Sequence, residues 1–136
     1  MSNLIPDLNP DCDQPLHPQA VEGLELIARG RYFEAHEALE AAWRQEHGLI
    51  RDLYRGVLQA AVVYLHLSRG NLPGAVKVYD RCTRWLAPWP DTCRGIAVER
   101  LRRDLETAVA EARRLGPERL AAFDRSLLKP VEYARR

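Results

Sequence analysis

Residues 50–68 constrain the fold more than any other stretch of the chain. They contain no proline and are apolar nearly all round, with Leu53, Val57, Leu58, Ala61, Val62, Tyr64 and Leu65 at helical spacing. A helix of that kind has no broad face to give to solvent and is central and buried. Other elements must therefore surround it, and the 136 residues are enough for one sizeable core.

Its partners can be read from the same periodicity. A first helix is predicted from Pro18, at a position where proline fits the first helical turn, to a stop at Gly30. A second, over about 32–45, puts Tyr32, Ala35, His36, Leu39 and Trp43 on one face before His47-Gly48 ends it. Gly70-Asn71 closes the third helix, and Asn71 can cap a fourth that presents Val76, Tyr79, Cys82, Trp85 and Leu86. Pro88-Trp89-Pro90 ends that one. A fifth helix is expected over 92–115, where Val98, Leu101, Leu105, Ala108, Ala112 and Leu115 form a narrow heptad seam. Gly116-Pro117 separates it from a short sixth carrying Leu120, Phe123 and Leu127.

No segment alternates with period two, so no sheet is expected. The fold class is all-α, a compact array or bundle of about five or six helices. The helical domain is expected over 18–128. It follows an N-terminal arm, 1–17, whose Pro6, Pro10 and Pro15 forbid a regular helix, and precedes a C-terminal tail, 129–136.

A weak internal repeat organises the centre. Arg29-Gly30-Arg31-Tyr32-Phe33-Glu34-Ala35 is matched forty positions later by Arg69-Gly70-Asn71-Leu72-Pro73-Gly74-Ala75. In each copy a glycine reverses the chain and a small alanine lets helices approach closely. Two copies make a two-hairpin core with some likeness to helical-repeat proteins, not a long solenoid.

The segment Tyr32-Phe33-Glu34-Ala35-His36-Glu37-Ala38-Leu39-Glu40-Ala41-Ala42-Trp43 resembles the signature of a bacterial and archaeal family known as domain of unknown function 309. Arg55-Gly56-Val57-Leu58-Gln59-Ala60-Ala61, Tyr64-Leu65-His66 and the second repeat follow in the family's order. The likeness covers about residues 23–86. It implies a compact all-helical fold and no particular activity.

Composition excludes some functions. The formal net charge is +1, so the chain lacks the basic excess of a nucleic-acid binder. Arginines of the fifth helix, among them Arg94, Arg100, Arg102, Arg103, Arg113 and Arg114, are mixed with Glu99, Asp104, Glu106 and Glu111. That mixture reads as a solvated face with local ion pairs. No apolar run approaches the roughly 20 residues that span a bilayer. No leader pattern begins the sequence. Cys12, Cys82 and Cys93 lack metal-type spacing and are expected as free thiols in a cytoplasm.

One polar set stands out in apolar surroundings. His36 lies in the apolar face of the second helix, Glu40 follows at i+4, and Glu37 adjoins them. On the third helix Arg55, Gln59 and His66 form a polar line. Sequential helices joined by a short turn are antiparallel neighbours, so the two lines are expected to meet inside the hairpin. The structural reading is a register-fixing network in which Arg55 pairs with Glu37 or Glu40.

A second reading is a divalent-metal site on His36, Glu40 and His66, with Glu37 as base of a metal-dependent hydrolase. Against it, the helix carries His-Glu-x-x-Glu where zinc proteases carry His-Glu-x-x-His. A third is a pocket in which Arg55 grips a carboxylate or phosphate of a small ligand, walled by Tyr32, Trp43 and Tyr64. With no complete catalytic set and no cofactor motif, the residues favour a non-catalytic cytoplasmic module that binds a small ligand or a protein. The fifth-helix seam is expected to pack internally, a homodimer being the alternative.

Overall fold

The computed structural model describes residues 11–134. Helix α1 spans Pro18–Ala28, α2 Tyr32–Gln45, α3 Ile50–Ser68 and α4 Leu72–Leu86. Two short strands follow, β1 (Thr92–Cys93) and β2 (Ile96–Ala97), and then α5 (Val98–Leu115). The expected sixth helix is a pair of 3-10 turns, Pro117–Ala122 and Arg125–Leu127. Each of the first four helices packs on the next, and α5 packs on α4. Among the described residues no helix is long and apolar enough to cross a membrane.

As its composition demands, α3 is the central element: Leu53, Tyr54, Val57, Ala60, Ala61, Val63 and Tyr64 are fully buried. The heptad seam of α5 is internal too, with Val98, Leu101, Leu105, Ala108, Ala112 and Leu115 all buried in this chain.

The internal repeat is a repeat in geometry. After α1, the Gly30 amide donates to Ile27 O (2.9 Å) and the Arg31 amide to Leu26 O (2.9 Å). After α3, the Gly70 amide donates to Leu67 O (3.2 Å) and the Asn71 amide to His66 O (2.8 Å). Both are Schellman closures, and both glycines have φ of 75°, where a Cβ would be strained. Ala35 and Ala75, the matching alanines, are fully buried. Side chains cap the starts of α1 and α4, where His17 Nδ1 accepts from the Gln19 amide and Asn71 Oδ1 from the Gly74 amide, each at 3.0 Å, whereas α2 starts at Arg31 without a side-chain cap.

Three expectations need correction. The fifth helix begins at Val98, not near residue 92, because residues 92–97 form an antiparallel hairpin. Its two-residue turn, Arg94-Gly95, has φ of 52° and 82°, the pair of positive angles that a tight hairpin turn requires. A small sheet therefore exists where none was expected. Residues 131–134 line its other edge: the Ala97 amide donates to Glu132 O and the Ala134 amide to Gly95 O, both at 2.9 Å.

The cysteines are the third correction. Cys12 and Cys93 form a disulfide across 81 positions, leaving only Cys82 free among the described residues. The free-thiol argument for a cytoplasmic location falls with it. Arg94 reinforces this junction. Its backbone amide donates to Cys12 O, and its guanidinium to Asp11 O (2.6 Å), Pro15 O (3.3 Å), Glu46 Oε2 (3.1 Å) and the Tyr54 hydroxyl (3.3 Å). Residues 11–17 are thus held against the domain, while Pro6 and Pro10 of the expected arm lie outside the described residues.

Candidate functional site

The approach of α3 to α4 is set by Gly56. A Cβ there would stand 2.6 Å from Leu86 Cδ2 and 3.4 Å from Trp85 Cβ, so only glycine lets the helices come this close. Cys82 is drawn into the same seam, its thiol donating to Gly56 O at 3.2 Å. Burial pushes that thiol up to about 12 from an ordinary 9.0. This contact brings Arg55, one residue before Gly56, against Trp85.

Arg55 lies over two indoles. Its guanidinium carbon is 4.5 Å from the Trp85 ring centre and 5.5 Å from that of Trp43. Arg51 occupies Trp43 as well, at 4.8 Å, and donates from Nε to Trp43 O. Cation–π contacts hold a guanidinium over a ring without consuming its N–H donors, which lie in the guanidinium plane. Arg55 makes neither an ion pair nor a hydrogen bond within the described residues.

Beside it is a cleft of about 410 Å³ lined by Arg55, Gln59, Arg81, Arg84 and Trp85. Arg81 and Arg84 are exposed, and neither has a carboxylate within 4.0 Å among the described residues. Asp80, four positions before Arg84 and so within helical reach, is not paired to it. Gln59 lines the same cleft, with its Oε1 buried and without a partner. On α5, by comparison, Arg100, Arg102, Arg103 and Arg114 have carboxylate partners among the described residues and Arg113 alone does not.

The six residues singled out from sequence do not meet as one cluster. Arg55 and Gln59 share the cleft. His66 serves the α3–α4 turn, its Nδ1 3.2 Å from Asn71 Nδ2. Glu37 is exposed, and Glu40 faces Arg44 at 3.5 Å, so neither neutralises Arg55. His36 Nδ1 is buried without a partner, and its ring lies 6.1 Å from that of Phe33, tilted. Among the described residues no three His, Cys, Asp or Glu side chains are gathered to hold a metal ion, so His36, Glu40 and His66 do not form the ligand set considered above.

Of the aromatic walls, Trp43 touches Arg55, while Tyr32 and Tyr64 pack edge to face (5.8 Å). Tyr64 is fully buried, and burial raises its hydroxyl pKa. Sequence reasoning missed Arg81, Arg84 and the place of Trp85. The run Arg81-x-x-Arg84-Trp85, on the same face as the apolar stripe's edge, was the signal available.

Residues 20–78 match the model of a family described as Domain of unknown function (DUF309). An uncharacterised protein of Aquifex aeolicus (strain VF5) is 32% identical over 78 residues. That match takes in 57% of this chain and 23% of the relative's length. The matched family segment contains Arg55, Gly56 and Gln59 but ends before Arg81 and Arg84.

Proposed function

We propose that this protein, whose residues 20–78 carry the DUF309 domain, is a non-catalytic module that binds an anionic small ligand in the α3–α4 cleft. The observation that carries the reading is Arg55, fixed against two indoles with its donors unspent, opening on a cleft that holds two further unpaired arginines.

Three cations side by side repel one another, and a fold gains nothing from leaving them without carboxylates. A bound anion supplies the missing charge. The planar fork of Arg55 suits the two-oxygen edge of a carboxylate or phosphate, and its ring contacts reduce the freedom lost on binding. The lining residues include no carboxylate, histidine, cysteine or serine, so the cleft has no general base and no nucleophile.

The test uses the reporters already present, since Trp43 and Trp85 both touch Arg55. Titration with inorganic phosphate at constant ionic strength should change tryptophan fluorescence saturably. Arg55→Lys keeps the charge but loses the fork, and should weaken the response about tenfold. A linear response with no saturation, or an Arg55→Lys protein that binds as well as the wild type, would refute the proposal.

A further inference from the structure

Resting on that reading, we infer that the natural occupant is an oligophosphate, one phosphoryl group held by Arg55 and a second by Arg81 and Arg84. Charge comes first. A terminal phosphoryl group carries about −1.5 to −2 near neutral pH. One such group leaves part of the charge of three arginines unmatched, and a monocarboxylate leaves more. Two or more phosphoryl groups match it.

Placement agrees. Arg81 and Arg84 are three positions apart on α4, so their side chains leave one helix face about 5–6 Å apart. Arg55 faces them from α3 across the cleft. Donors therefore come from two walls, an arrangement that spans an elongated anion. The charged side chains lining the space are three guanidiniums, donors only, with no carboxylate among them. A hydroxyl-rich sugar or a peptide would bring donors of its own and find no carboxylate to accept them. An oligophosphate brings oxygen acceptors. The cleft, at about 410 Å³, is near the small end of ligand pockets and suits such an ion.

A nucleic-acid strand would need a longer track of free cations. Towards α2 that track stops, because Arg51 is committed to Trp43 and Arg44 to Glu40.

The experiment is calorimetric titration, at fixed pH and ionic strength, of wild type, Arg55→Lys and Arg81→Gln/Arg84→Gln. The probes are orthophosphate, tripolyphosphate, citrate and a short oligouridylate. Because Arg81 and Arg84 are exposed, the double variant should keep the wild-type circular dichroism spectrum. Tripolyphosphate is expected to bind wild type at least about tenfold tighter than orthophosphate, and the double variant to lose that margin while still binding orthophosphate.

Equal affinity for orthophosphate and tripolyphosphate, with both weakened by Arg55→Lys, would overturn the oligophosphate assignment and leave the anion module standing. Citrate binding as tightly as tripolyphosphate, or oligouridylate binding about tenfold tighter, would overturn it as well. Failure of every probe would sink both the assignment and the module.

Discussion

Replacing Gly56 by alanine sets two opposing effects against each other. In an exposed helix interior the change would stabilise by about 1 kcal/mol, because alanine loses less backbone freedom on folding. At this position the new methyl would stand 2.6 Å from Leu86 Cδ2 and 2.9 Å from Leu86 Cγ. Rotating the tip of Leu86 relieves only the first contact, and Leu86 is 1% exposed, so it cannot swing into solvent. Overpacking of a filled core costs about 1–3 kcal/mol, and a clash reaching Cγ belongs in the upper part of that range. The expected net result is a loss of about 1–2 kcal/mol, read as a lower urea midpoint at unchanged slope.

The decisive comparison is the same substitution in a Leu86→Ala background. That background loses about 2–5 kcal/mol to its cavity, but nothing then occupies the space of the new methyl. Gly56→Ala should stabilise it, so the effect changes sign. A Gly56→Ala protein as stable as wild type, or one equally destabilised in both backgrounds, would show that Leu86 does not set the α3–α4 distance.

Reducing the Cys12–Cys93 bridge, or replacing both cysteines by serine, releases a constraint across 81 positions, and loop entropy puts the loss near 4–5 kcal/mol. Urea denaturation with and without reductant reads it, and an unchanged midpoint would count against the bridge. Arg94→Gly relieves a left-handed backbone worth about 1–2 kcal/mol but breaks the buried contact with Glu46, which costs about 3–5 kcal/mol, so a net loss of roughly 2 kcal/mol is expected by thermal or urea unfolding. A variant as stable as wild type would mean the turn, not the guanidinium, matters. Cys82 has its pKa pushed up to about 12, which cuts its thiolate fraction at pH 8 by about a thousandfold relative to an ordinary thiol. Iodoacetamide should label it in urea and not in buffer, and rapid native labelling by mass spectrometry would contradict its burial.

The parts of the fold that sequence reveals are those fixed by neighbours in the chain. Pro18, Gly30, Gly70 and Asn71 act within a few residues of themselves, and the two ends of α1, the end of α3 and the start of α4 follow from them. Residues 92–97 are different. Arg-Gly is a poor advertisement for a hairpin turn, and helical spacing runs on through it from α5. What makes the hairpin worth forming is distant: the Cys12 bridge, the hydrogen bonds of Arg94 to residues 11 and 15, and the edge supplied by residues 131–134. None of these partners is within reach of a local pattern.

The site divides the same way. Arg55, Gln59 and His66 do form a line on α3, as their spacing of four and seven residues implies. The error lay in the neighbour assigned to it. A central helix has a partner before it and a partner after it in the chain, and periodicity gives the angle between faces, not which face meets which partner. Glutamates on α2 made that side attractive on electrostatic grounds. The structure sets Arg55 over both Trp43 of α2 and Trp85 of α4, with Gln59 beside Arg81 and Arg84, while His66 supports Asn71 and no glutamate of α2 meets the line. Gly56 decides the matter, because the one residue of that stretch without a side chain marks where a helix must come closest. A glycine inside an otherwise apolar helix, next to an arginine, was therefore the sequence feature that located the cleft, and a packing argument was needed to read it.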